Sequence, residues 1–313
     1  MEACPRPDTF CMLHIDAARN STDDFNPFHD SRRWQRIAGN PFGGPIVLGF
    51  QLAALVEDRF RAYRADHDEE RLMDAHGLVF SNYEFNFANA VYPGQAVSVE
   101  IRKSRLSGED ARILSNRFML KQRGACALIG FKRESGEPLV LPAADFTALP
   151  EPASIPDRSF IPGTDLFFKR KFLNTSNGKN FLLGSLVDQS LYFDEIDEWV
   201  SFPEMFPVAY VSCALLERAA TQGHDFMANP MVYASHRICV DRRLNARLRS
   251  NDLLGLLVEP VAPDEAGARE GAEAYCCYGL LENKALLFRA LIELVPLEAI
   301  RSRQSGGLIS NER

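Results

Sequence analysis

One arrangement restricts the fold of this 313-residue chain more than any other: a long amphipathic helix is followed by four strand-like stretches, and the same order then recurs more loosely. In the first half, "GGPIVLGFQLAALVEDRFRAYRADHDEE" opens on glycines and a proline, then places Leu48, Leu52, Leu55, Val56 and Phe60 at helical spacing. That spacing predicts a helix from about Pro45 to Arg64, with the proline tolerated in the first turn. The stretches "GLVFSNYEFNF", "AVSVEIRKSRLS", "ARILSNRFML" and "ACALIGFKRE" then read as strands, broken by the turn sequences "YPGQ", "SGED" and "QRG". One helix followed by an antiparallel meander predicts an α+β fold, a sheet wrapped around a helix, rather than βαβ units.

The region from Leu141 to Asp165 carries five prolines and little periodicity, as a linker or surface crossover does. A boundary near Ala153 divides the chain into domains 1–153 and 154–313, a division its length favours. Beyond it come a helix candidate, "FPEMFPVAYVSCALLERAA", and the strand candidates "MVYASHRICV", "DLLGLLVEPV", "EAYCCYGLL" and "KALLFRALIELV". The last is the one where periodicity separates helix from strand least well. With 35 basic against 42 acidic residues and no dense Lys/Arg block, the chain lacks the footprint of a nucleic-acid partner. Neither a secretory leader nor a membrane-spanning run is apparent, and seven scattered cysteines without a C-x-x-C pair read as reduced thiols. A cytoplasmic protein without metal or other cofactor is expected.

Chemistry concentrates in "STDDFNPFHD", Ser21 to Asp30. Pro27 makes a continuous helix there improbable, and a tight turn at Asn26-Pro27 lets the Asp24 carboxylate and the His29 imidazole converge. Converging carboxylate and imidazole suit acid/base work on one water, with the Asn26 amide as support. Gly49 falls near the first turn of the predicted helix, where unpartnered N–H groups and the helix dipole favour developing negative charge. The alternative for the loop is a solvated segment with Asp23 or Asp24 capping a turn, and for Gly49 a close-packing role.

The pattern D-x-N-P-x-H in "DFNPFH", followed by "FGGPIVLGF" and "FANAVYPGQAVSVEI", resembles the MaoC-like (R)-specific enoyl-CoA hydratase family, which has the hot-dog fold. The resemblance spans roughly residues 20 to 100 and implies a double hot-dog protein, two sheets each wrapped around a central helix. It implies hydration of a trans-2-enoyl thioester, on coenzyme A, to an (R)-3-hydroxyacyl thioester, with Asp24 and His29 as acid/base pair. Gly49 N–H would hold the thioester oxygen, and Pro93 and Gly94 would mark a turn. Leu48 stands where the family commonly has a histidine, and Asp30 follows His29 at once. The second half lacks the motif, so the resemblance gives it a pocket-forming role only.

Further candidates are Arg32 and Arg33, which could meet the phosphates of coenzyme A or a carrier-protein arm, and Leu48 and Phe50 beside the site. In the second half, His236 reads as a structural strand histidine, and Glu217 and Asp188 as weak candidates for a thioesterase-type site. The rival activities are dehydration on an acyl carrier protein, non-catalytic acyl-thioester binding, and thioester hydrolysis. A homodimer is a plausible assembly.

Overall fold

The computed structural model describes residues 8–108, 112–140, 144, 146–262, 267–269 and 271–299. Cys4 and part of the predicted linker, residues 141–143 and 145, lie outside the described residues. The first half runs β1 (Asp8–Thr9), α1 (Met12–Thr22), α2 (Gly49–Asp66), α3 (Glu69–Ala75), β2 (Phe80–Phe87), β3 (Ala96–Ile101), β4 (Arg105–Ser107), β5 (Ile113–Gln122) and β6 (Ala125–Ser135). The second runs β7 (Ser159–Phe160), β8 (Phe167–Phe172), α4 (Thr175–Gly184), β9 (Phe193–Asp194), β10 (Trp199–Val200), α5 (Met205–Thr221), β11 (Met231–Asp241), α6 (Arg242–Asn245), β12 (Leu253–Val261), β13 (Glu273–Leu281) and β14 (Leu286–Pro296).

The order β3-β5-β6-β2 in one half is mirrored by β11-β14-β13-β12 in the other. The halves join edge to edge where β2 pairs antiparallel with β11, with Tyr83 opposite Ile238. The expected two sheets are therefore the halves of one continuous 12-stranded antiparallel sheet. Pairing the two edges satisfies backbone groups that separate sheets would leave exposed. On the inner face lie α2 and α5, in a single core that includes Leu52, Val56, Phe85 and Phe118 of the first half and Phe206, Ile238, Leu256 and Phe288 of the second. Each such buried side chain contributes about 1.5–3 kcal/mol, so burial more than helix propensity holds α2 and α5 in place.

Three departures from the sequence expectation bear on the site. The helix predicted from Pro45 begins at Gly49 and runs to Asp66, because the Ile46 and Val47 N–H groups donate to the carbonyls of Phe28 (3.1 Å) and Val91 (2.9 Å) and hold that segment extended. "AVSVEIRKSRLS" divides into β3 and β4 where the Asn116 amide donates to the Arg102 carbonyl at 2.9 Å. Two helices that the sequence expectation does not include, α1 and α4, pack on each other. At their crossing a Cβ on Gly184 would sit 2.7 Å from the His14 carbonyl oxygen, so only glycine lets the two helices meet there.

Candidate active site

After α1, Asp23 takes the left-handed backbone conformation at φ 53°, and the Asp24 N–H donates to the Arg19 carbonyl at 3.0 Å. The chain is thereby turned inward. Asp24 Oδ1 accepts from the Asn26 N–H at 2.8 Å, and Asn26 Oδ1 accepts from the Phe28 N–H at 3.1 Å. Asn26 so caps a short 3-10 turn, Pro27–His29, whose leading proline has the fixed φ such a turn needs and no N–H to leave unpaired. That turn carries His29 beneath the extended segment before α2, where Nδ1 lies 2.8 Å from the Ile46 carbonyl oxygen. A carbonyl only accepts, so Nδ1 bears the ring proton and Nε2 keeps a free lone pair. Burial holds the pKa of His29 below the usual 6.5, outweighing the Asp24 charge and the Ile46 carbonyl, which raise it.

The second half reaches into this loop. Ser212 of α5 donates its hydroxyl to Asp24 Oδ2 at 2.6 Å, and the Tyr233 hydroxyl of β11 donates to Ser212 Oγ at 3.0 Å. Asp24 thus has both oxygens engaged, one by its own loop and one by the other half. Burial, and then the charge of Asp24, push the Tyr233 pKa up, which keeps the phenol protonated and able to donate. Sequence reading missed both residues; the only signal was a serine within the otherwise apolar run "VSCALL".

His29, Gly49 and Asn26 line one cavity of about 200 Å³, closed on other sides by Phe87, Tyr92 and Tyr233. Gly49 is the first residue of α2, so its N–H has no intrahelical acceptor. A Cβ built on it would lie 3.1 Å from Phe87 Cζ and 3.3 Å from Tyr233 Cδ2, so the ring wall closes directly on the glycine. A second cavity of about 330 Å³ shares Asn26, Phe28, Met231 and Tyr233 with the first and continues along Leu215 and Tyr275 of the second half. Asp24 is buried beside the cavity lining rather than within it, and its effect reaches the cavity through the charge it places near His29.

The remaining candidates separate clearly. Arg32 and Arg33 are exposed and line neither cavity, and their backbone N–H groups donate to Asp30 Oδ1 at 2.8 Å and 3.0 Å. Leu48 and Phe50 are buried in the core, Phe50 stacking on His236 with ring centroids 4.7 Å apart. His236 itself is fully buried among aromatic rings with neither ring nitrogen hydrogen-bonded, and burial drives its pKa down to about 3. It is a neutral core residue. Glu217 is ion-paired with Arg158 (3.1 Å) and Lys169 (3.3 Å). Asp188 accepts from the Ser190 N–H at 2.9 Å and caps the turn Gln189–Leu191.

That turn is the structural counterpart of Pro27–His29. It follows α4 as the other follows α1, each after a left-handed residue, Leu186 at φ 60° and Asp23 at φ 53°. Matching the two caps, Asp188 to Asn26, puts Leu186 and Leu191 where Asp24 and His29 stand. The left-handed residue stands two positions before the cap in the second half and three before it in the first, so the second loop is one residue shorter, and it lacks the acid/base pair.

Among the described residues the six cysteines are free, no group of three or more His, Cys, Asp or Glu side chains is placed to hold a metal ion, and no helix is long and apolar enough to cross a membrane. No family model matches the chain, and neither does any curated protein. Solved structures do. One named as a MaoC-like dehydratase aligns over 93% of this chain and 96% of its own at 10% identity, with a TM-score of 0.56. A putative MaoC domain protein dehydratase from Chloroflexus aurantiacus J-10-fl covers 93% of both chains at 10% identity and a TM-score of 0.56. A conserved hypothetical protein from Mycobacterium tuberculosis, described as having a double hotdog fold, covers 93% of this chain and 94% of its own at 11% identity and a TM-score of 0.57. With the sheet and its two central helices, these likenesses define the class: the chain is a double hot-dog protein.

Proposed function

We propose that the chain catalyses reversible addition of water to a trans-2-enoyl thioester, on coenzyme A, giving an (R)-3-hydroxyacyl thioester. The observation that carries this reading is the shared cavity: a neutral histidine with a free Nε2 and a helix-opening amide without an intrahelical acceptor face the same space. In the hydration direction, His29 Nε2 takes a proton from water as its oxygen bonds to C3. The Asp24 charge stabilises the imidazolium so formed. Electron density from the C2=C3 bond moves onto the thioester oxygen, where the Gly49 N–H and the α2 dipole hold it. Collapse of that enolate onto C2 recovers the proton from the Asp24/His29 pair, so H and OH add with no net change in the protein. Two solved structures of like fold are named as dehydratases, and dehydration is this reaction in reverse.

The test is the loss of enoyl-thioester absorbance on adding purified protein to short, medium and long trans-2-enoyl-CoAs. Consumption of at least one, with an (R)-3-hydroxyacyl-CoA as product, is the expected result. Absorbance unchanged across the series overturns the coenzyme A reading, and release of free thiol instead identifies a thioesterase.

Ser212 supplies a positioning role that the same assay resolves. A hydrogen bond to a charged group contributes about 1.5–3 kcal/mol, so Ser212→Ala is expected to lower kcat about 10- to 100-fold. KM should change little, since Ser212 lines neither cavity. Ser212→Thr keeps the hydroxyl and should recover most of the rate; equal losses for both variants would make the effect one of packing.

A further inference from the structure

The first turn of α2 is held by a side chain that lines neither cavity. Gln51, the third residue of α2, is fully buried, where an amide is costly unless its polar atoms find partners. All of them do. Gln51 Oε1 accepts from the Leu48 N–H at 3.2 Å. Nε2 donates to the His14 carbonyl of α1 at 3.0 Å and to the Gly184 carbonyl of α4. Gly184 is the last residue of α4, so its carbonyl has no intrahelical donor, and Gln51 supplies one. The side chain therefore bonds to both helices at the crossing where only glycine fits.

Its place in the chain bears on the site. Ile46 and Val47 give their N–H groups to Phe28 and Val91, and Leu48 gives its own to Gln51. The next amide along is that of Gly49, on the wall of the first cavity. The other anchor, α1, leads straight into the left-handed turn at Asp23 that carries Asp24 and His29 inward. One amide thus connects the helix opening to the helix that delivers the acid/base pair. Packing alone does not call for glutamine here, since methionine has nearly the same length and fewer polar atoms to desolvate. What the fully satisfied amide adds is a single rotation and depth for the turn, which apolar contacts specify less sharply.

We propose that Gln51 is a positioning residue for the Gly49 N–H, locking the first turn of α2 to the α1–α4 crossing and so fixing that amide relative to His29. The inference rests on the reading of Gly49 as donor to the thioester oxygen, and it adds the side chain that aims the donor. Gln51 touches no substrate and moves no proton. A misplacement of about 1 Å can cost about 10²-fold in rate, so its effect belongs in kcat rather than in KM.

The test is a double-variant cycle in the enoyl-CoA assay, at a temperature where each variant is folded. Gln51→Met alone is expected to lower kcat about 10- to 100-fold, with KM changed less than about threefold. In a Gly49→Val background, where the amide is already obstructed, the same change should cost less than about threefold more. Wild-type kcat in Gln51→Met overturns the proposal. So does an undiminished further loss in the Gly49→Val background, which makes the effect one of general packing. Should Gln51→Met fail to fold, Gln51→Asn takes its place, keeping the amide but one methylene too short to reach all three partners. Failure of the hydration reading shows separately, as a wild type that consumes no enoyl-CoA or a Gly49→Val protein with full kcat. NMR then decides the placement. In the Gln51 variant the Leu48 amide should exchange at least about tenfold faster and the Gly49 amide resonance should shift or broaden, while the Val47 amide, bonded to Val91, stays as it was. An unmoved Gly49 resonance overturns the proposal equally.

Discussion

His29→Ala and Asp24→Asn are each expected to reduce the rate of enoyl-CoA hydration by about 10²- to 10⁴-fold, the usual range for losing acid/base assistance. The two losses have different origins. In His29→Ala the group that takes the proton is gone. The Ile46 carbonyl also loses its 2.8 Å partner, which costs about 1–3 kcal/mol if the oxygen stays buried, so some loss of thermal stability accompanies the loss of rate. Asp24→Asn is the cleaner substitution. Its Oδ1 can still accept from the Asn26 N–H, and the side chain keeps its shape against Ser212. What disappears is the negative charge that raises the proton affinity of a buried imidazole otherwise held low by desolvation. The expected signature is a collapse of kcat with KM and melting temperature nearly unchanged. Rates within threefold of wild type for both variants would remove the pair from the mechanism, whatever substrate is used.

How far the sequence carried these assignments differs from element to element, for physical reasons. α2 and α5 were legible because each buries a long apolar face, and β11 to β13 because they are apolar runs bounded by turns, whereas in β14 the apolar run left helix and strand poorly separated. α1 was not, because "MLHIDAARNST" mixes polar and apolar residues and buries only part of one side, against α4. The continuous sheet was hidden for a different reason: edge pairing of β2 with β11 uses backbone groups that every residue has. In the loop, Asp24, Asn26 and His29 could be read because Pro27 forced a turn at that place. Asp188 looked like a possible acid because its counterpart role, capping a turn as Asn26 does, depends on geometry that appears only when the halves are superposed. Arg32 and Arg33 had the right charge in the right neighbourhood, yet are exposed and line neither cavity. Ser212 and Tyr233 lie 188 and 209 positions from Asp24, and nothing local in the sequence connects them to it (212 − 24 and 233 − 24).

Gly49→Val is expected to cost at least as much as loss of an oxyanion donor, about 10²- to 10³-fold in kcat, and Gly49→Ala somewhat less. The alanine Cβ would meet Phe87 Cζ at 3.1 Å and Tyr233 Cδ2 at 3.3 Å, distances that require the rings to give by a few tenths of an ångström. Two consequences compete. Alanine is the better helix former by about 1 kcal/mol in a helix interior, but at the first position of α2 most of that advantage is absent, so crowding decides the sign for stability. The crowding does not stop at the ring. Tyr233 donates to Ser212, and Ser212 donates to Asp24, so a displaced Tyr233 slackens the support of the acid/base pair as well as narrowing the approach to the amide. Valine, with two further methyl groups, intrudes into a cavity of only about 200 Å³. Combining Gly49→Ala with Phe87→Leu separates the causes. The smaller side chain relieves the contact, so if crowding alone is responsible the double variant recovers both melting temperature and rate. If the thioester oxygen must approach the Gly49 N–H past the Cβ, stability returns while kcat stays low. Gly49→Val with wild-type kcat would show that this amide does not hold the developing charge, and would leave His29 and Asp24 acting on a substrate oriented some other way.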